Sequence, residues 1–197
     1  MSYLNEFNAA VRRTAKWKLG RHPLPARAEV LDQAVLNELE ASSHIPFEER
    51  AGKAMTVNFG MFHMLMKRFS VDGCVITMGS VSRNGERIVD APQASFKAML
   101  ANQSGEAGIG TYHLWTTLPG GVILDHAILS FLHRDHAVTV NPIIPSERFI
   151  CAPADELPHG LTYHPVVVGH EFFVASGTID REAMDYLMGD RFPKQYA

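Results

Sequence analysis

The chain has 197 residues, 46% of them apolar and 20% charged, with a formal net charge of −3. That length carries one sizeable core, and a composition near the average of globular proteins excludes a disordered or collagen-like chain. The acidic balance argues against a general nucleic-acid binder, apolar runs such as "PVVVG" are too short for a bilayer span, and two cysteines, Cys74 and Cys151, give neither a disulfide framework nor a zinc knuckle. The opening residues have no apolar h-region and no cleavage pattern, so a cytoplasmic location is expected.

In chain order, the first element is a helix ending before "GRHPLP", where Gly20, Pro23 and Pro25 interrupt the pattern. Its surroundings hold Arg12, Arg13, Lys16, Lys18, Arg21 and Arg27 against Glu6 alone, which is a solvated basic face or a contact for an acidic partner. A second helix is expected over 26–41, with Leu31, Ala34, Val35 and Leu39 on one face. A third is expected over 48–69, apolar on most sides after Met55 and therefore central. "CVITMGSVSRNGERIVDA" reads as a hairpin turning at Asn84-Gly85, the preferred pair of a two-residue turn. A short helix follows in "PQASFKAMLANQ", then the glycine-rich "SGEAGIG" and a second hairpin in "GTYHLWTTLPGGVILDHA". Short strands are expected in "HAVTV", "RFICA" and "YHPVVVGHEFF", and a closing helix in "DREAMDYLMG". The fold class is α+β. One domain is expected over 1–197, with a helical section at 1–43, a helix-plus-hairpin core at 44–127 and a β-rich elaboration at 128–197.

The second hairpin carries the candidate chemistry. With Leu118, Pro119 and Gly120 as a three-residue loop, Thr117 faces Gly121 and His113 faces Asp125. Opposed residues have Cβ atoms about 4.5–5.5 Å apart, so imidazole and carboxylate come within hydrogen-bonding reach. A carboxylate on one ring nitrogen fixes the tautomer and leaves the other to activate a nucleophile. A two-residue loop opposes His113 to His126 instead, and a plain polar cross-strand pair is the simpler alternative. Trp115 shares the face of His113, as a substrate platform or as core. Asn58 either reaches a pocket or satisfies a buried backbone group.

A central helix leading into a hairpin, then the strand "HLWTT", the turn "PGG" and a strand ending in Asp, resembles the transglutaminase-like branch of the papain-like fold over 51–127. The resemblance implies a central helix packed on an antiparallel sheet, His113 as base, Asp125 as orienter, and a nucleophilic cysteine at the start of the central helix, where the helix dipole favours thiolate. The best match to the family's Cys-x-x-Asn is "MTVN", with Met55 in the cysteine position and Asn58 in place. A thioether is no acyl-transfer nucleophile. Thr56, one position on, is rotated by about 100°. Cys74 is expected at the far end of the helix, roughly 20 Å from the His–Asp pair.

Ten histidines occur, and His133 and His136 with Asp135 or Asp125 form the nearest approach to a metal set, but no HExxH spacing is present. Met55, Met61, Met64 and Met66 with Phe59, Phe62 and Phe69 line a pocket or fill the core. "GSVSRNG" and "SGEAGIG" lack phosphate-binding spacing. The expectation is thus a binding module of transglutaminase-like fold with catalytic-type residues His113 and Asp125, a pocket at Met55, Asn58 and Trp115, and an unidentified protein or small-molecule partner. It includes no metal, no cofactor, no membrane and no nucleic acid. The alternatives are an active cysteine-dependent amide hydrolase, deamidase or acyl transferase using Cys74 or Cys151, and an unrelated α+β metal- or ligand-binding protein.

Overall fold

The structure is a computed structural model, and it describes residues 2–22, 31–71, 73–103 and 112–189. The expected helix start at 26–30, Arg27 of the basic cluster, the prolines at 23 and 25, and the "SGEAGIG" stretch lie outside the described residues. In chain order the elements are α1 (Tyr3–Lys16), α2 (Gln33–Ala41), α3 (Ala54–Lys67), β1 (Val75–Arg83), β2 (Glu86–Val89), α4 (Gln93–Asn102), β3 (His113–Leu118), β4 (Val122–Asp125), α5 (Ile128–Asp135), β5 (Ile150–Pro153), β6 (Leu161–Val168), α6 (Glu171–Ala175) and α7 (Arg181–Met188). Helices and antiparallel strand pairs make the fold α+β, as expected. No helix of the described residues is long and apolar enough to cross a membrane.

The chain divides into two compact units, one of Met1–Leu24, Val75–His113 and Leu157–Ala197, the other of Pro25–Cys74 and Leu114–Glu156. In the first unit β1 pairs with β2 on one side and β6 on the other. The β1–β2 turn is the expected Asn84-Gly85, both residues at positive φ, which matches the twist of the two strands. Register shifts on the β2 side between Val81 and Ser82. Gly79 has no substitute: a Cβ there would meet the backbone oxygen of His164 at 2.0 Å. Along α1, Tyr3, Phe7, Ala10 and Thr14 recur at helical spacing and are buried. The helix is tied to β6 by Arg13 Nη1 donating to Val166 O at 2.7 Å and by Thr14 Oγ1 accepting from Val168 N at 3.0 Å. Phe96 and Phe172 meet edge to face in the core of this unit, 5.3 Å between centroids.

In the second unit β4 lies between β3 and β5. α3 buries Val57, Asn58, Phe59, Met61, Phe62 and Leu65, the broad apolar surface of a central helix. The helix expected over 48–69 starts as a tight 3₁₀ helix, Phe47–Lys53, and becomes α-helical only at Ala54; Gly52, a poor helix former, lies at the changeover.

Two expectations of the C-terminal half are corrected. "HAVTV" is not a strand: α5 ends there, with His136 N and Val138 N both donating to Leu132 O and Ala137 at positive φ, so its backbone groups close a helix. The β-rich section also contains α5 and α6, and α6 takes the "EFF" of "YHPVVVGHEFF".

Candidate functional site

The second hairpin forms in a different register from the one expected. Its loop is Pro119–Gly121, and the ladder runs Leu118↔Val122, Thr117↔Ile123 and Thr116↔Leu124. Continued by one pair, it places Asp125 opposite Trp115, two positions from the expected partner His113. The cause is the double glycine: Gly120 and Gly121 both adopt positive φ, so the bend falls one residue later than with Gly120 alone as the closing residue. His113 opens β3, is buried, and has Tyr163 as a ring neighbour at 6.1 Å.

Asp125 is fully buried at the end of β4. Its Oδ1 accepts from Asn58 Nδ2 at 2.9 Å, Ala127 N at 2.9 Å and Ile128 N at 3.1 Å. The last two are backbone donors at the start of α5, so the carboxylate works as a helix cap. Asn58 completes the arrangement: Nδ2 also donates to Leu114 O at 2.7 Å, and Oδ1 accepts from His126 N at 2.7 Å. One amide one turn into α3 therefore clamps β3, the end of β4 and the start of α5. Of the two roles open to Asn58, satisfaction of buried backbone groups is the one these bonds describe. Trp115 is 0% exposed, which makes it core and not a platform open to solvent. Met55 is half-buried in the first turn of α3, and Thr56 is exposed.

The two cysteines lie in different surroundings. Cys74 is buried, with Sγ 3.0 Å from Met66 Sδ and 3.3 Å from Val71 O. That places it beside the last turn of α3, and from Met55 to Met66 the helix rises about 16 Å. Cys151 pairs with Leu124 while Asp125 pairs with Ile150, so the thiol and the carboxylate project to opposite sides of their strands. Burial pushes the Cys151 thiol up to about 11, which keeps it protonated at neutral pH.

Sequence reasoning missed the charged groups beside the clamp. Arg50 donates from Nη1 and Nη2 to the two carboxylate oxygens of Glu40, each at 2.8 Å, and from Nε to Ile45 O at 3.1 Å; both side chains are almost fully buried. Arg148 adds a contact to Glu40 at 3.3 Å. His126 is 0% exposed and stacks on Phe149 at 4.8 Å, and neither ring nitrogen has a hydrogen-bond partner among the described residues. Burial drives its pKa down to about 4, with Glu40 and Asp125 opposing the shift and Arg50 adding to it. No local pattern announces these groups, because Glu40, Arg50, His126 and Arg148 come from four separate segments.

His133 turns Nδ1 to Val138 O at 3.0 Å, and among the described residues no three His, Cys, Asp or Glu side chains gather as a metal set. No protein-family model, no curated protein and no solved structure matches the chain.

Proposed function

We propose that this chain is a protein of transglutaminase-like fold without a working thiol centre, and that it acts as a binding module for a protein or small-molecule partner. One observation carries the reading: the position at the start of α3 that would hold the nucleophile is Met55, and neither cysteine replaces it. Cys74 lies at the other end of that helix, and Cys151 is a protonated thiol on the face opposite Asp125. The backbone bonds of Asn58 to Leu114 O and His126 N, and those of Asp125 Oδ1 to Ala127 N and Ile128 N, give this corner a structural role that a binding module also needs.

Thiol labelling tests the proposal. With iodoacetamide near neutral pH, Cys74 and Cys151 are expected to react more slowly than an unstructured thiol, because a buried thiol forms little thiolate. Rapid modification of either cysteine in the folded wild type, lost in His113→Ala, would overturn the proposal and restore a cysteine enzyme.

A further inference from the structure

In the first unit, apart from the hairpin, three side chains are arranged in the order hydroxyl, imidazole, carboxylate. Ser82 Oγ on β1 is 3.1 Å from His164 Nε2 on β6, and His164 Nδ1 is 3.1 Å from Glu6 Oε2 on α1. A carboxylate only accepts, so Nδ1 carries the hydrogen, and in the neutral imidazole Nε2 is the acceptor for the serine hydroxyl. This is the nucleophile–base–orienter relation that general-base activation of a serine requires. Side chain to side chain bonds are a small minority in folded proteins, and here two in series join residues from three separate elements. The attachment of α1 to β6 does not depend on them, because Arg13 and Thr14 already bond the β6 backbone.

The relay lies beside exposed residues. Ser82 is itself 4% exposed, but the residues directly opposite it, Thr162 on β6 and Arg87 on β2, are both exposed. Directly opposed residues share a face, so the hydroxyl is flanked by one neutral and one cationic side chain at the surface. The imidazole and the Glu6 carboxyl are about a quarter exposed, at 24% and 25%. The side of these two exposed residues is the one from which the proposed relay is reached, and a hydroxyl this buried limits the proposed substrate to a short acyl group. Arg87, opposite Ser82 in register, is the cationic residue on that side that the proposal assigns to a developing oxyanion.

We infer that Ser82, His164 and Glu6 form an acyl-transfer relay that hydrolyses esters of short carboxylic acids, independently of the hairpin. Ser82 Oγ attacks the ester carbonyl carbon as its proton passes to His164 Nε2, and the electron pair of the C=O bond moves onto oxygen beside Arg87. Collapse of the tetrahedral species breaks the bond to the leaving alkoxide, which takes the proton from Nε2. Water then attacks the acyl-serine, gives its proton to Nε2, and releases the carboxylic acid as Ser82 Oγ is reprotonated. Ser82 and His164 are the catalytic residues; Glu6 is a positioning residue acting through the imidazole.

The test uses the full chain with p-nitrophenyl acetate as substrate and a small alkyl fluorophosphonate as covalent probe. Expected are one phosphonyl adduct on the Ser82 peptide and a burst of p-nitrophenolate followed by steady turnover. Ser82→Ala, which leaves the His164–Glu6 bond in place, abolishes both while the melting temperature stays within about 4 °C of wild type. His164→Ala slows labelling by about 10³-fold or more. Glu6→Gln lowers kcat with KM unchanged, and Glu6→Asp recovers part of the loss, a pattern that mere attachment of α1 does not produce. Arg87→Gln lowers kcat by about 10²-fold, and an unchanged kcat removes Arg87 from the proposal. Wild-type protein that takes no adduct on Ser82, or Ser82→Ala that turns over at the wild-type rate, overturns the relay. Neither result bears on the thiol reactivity that tests the hairpin.

Discussion

Asp125 and Glu6 are both carboxylates held by hydrogen bonds, yet their partners differ in kind. Asp125 is fully buried, and its Oδ1 takes two backbone N–H groups and the amide of Asn58. Glu6 is a quarter exposed and takes a ring nitrogen of His164, whose other nitrogen meets a hydroxyl. A group that satisfies buried backbone is part of the fold, because its removal leaves N–H groups with nothing to replace them. A group bonded only to other side chains at a partly exposed position is replaceable by water, so its removal changes reactivity more than stability. Asp125 thus has a structural part to play in the hairpin that the sequence marks, whereas the line from Ser82 through His164 to Glu6 has no sequence motif.

That contrast is broken or sharpened by substitution, beginning with the charges next to the clamp. Glu40→Ala leaves Arg50 buried without its bidentate partner and is expected to cost about 3–5 kcal/mol in urea denaturation, whereas the double replacement Glu40→Leu/Arg50→Met is expected to be near neutral or stabilising. A small loss in Glu40→Ala would mean the pair is open to solvent. Acid comes next. Burial holds His126 at about 4 against an ordinary 6.5, so the unfolded chain binds the proton more readily. Its contribution is therefore complete above pH 6.5 and lost as pH falls from 6.5 toward 4, by about 3 kcal/mol over that window. His22, also lowered to about 4 chiefly by burial, adds a loss of the same sign. His126→Phe keeps the stack on Phe149, removes two unbonded buried nitrogens, and is expected to flatten the acid slope while raising stability at its low-pH end. An unaltered slope would show that His126 is not the group responsible.

Asp125→Ala is expected to cost about 2 kcal/mol by equilibrium unfolding, through the lost cap and the buried Asn58 amide left one acceptor short, with Asp125→Asn costing less than half of that because an acceptor oxygen remains. The smallest change in stability is expected for Ser82→Ala, under about 1 kcal/mol in the same measurement. A larger loss there would place Ser82 with Asp125 among the structural groups and erase the distinction between the two clusters.

Local signals made much of the fold legible. α1, α3, α4 and α7 follow from apolar spacing, and the β1–β2 hairpin follows from Asn84-Gly85, because each depends on residues adjacent in the chain. The register of β3 against β4 was not legible, since "LPGG" offers two glycines at which the bend can fall and only packing selects one. "HAVTV" has strand composition but is used to terminate α5, a case of tertiary context overriding propensity. Of the candidate site, the absence of a cysteine at Met55 was legible, as was the distance of Cys74 from that end of the helix. The use of Asp125 as a cap was not, because α5 itself was not foreseen.

By itself, then, the sequence determined which segments are helix or strand where periodicity is strong, the α+β class, and that methionine stands in the first turn of α3. The tertiary structure decided the hairpin register, the burial of His126 beside Glu40 and Arg50, and the line from Ser82 through His164 to Glu6. The physical reason is separation along the chain: residues 6, 82 and 164 carry no information about one another until α1, β1 and β6 are packed together, and a hydrogen bond of 3.1 Å exists only after that packing is complete.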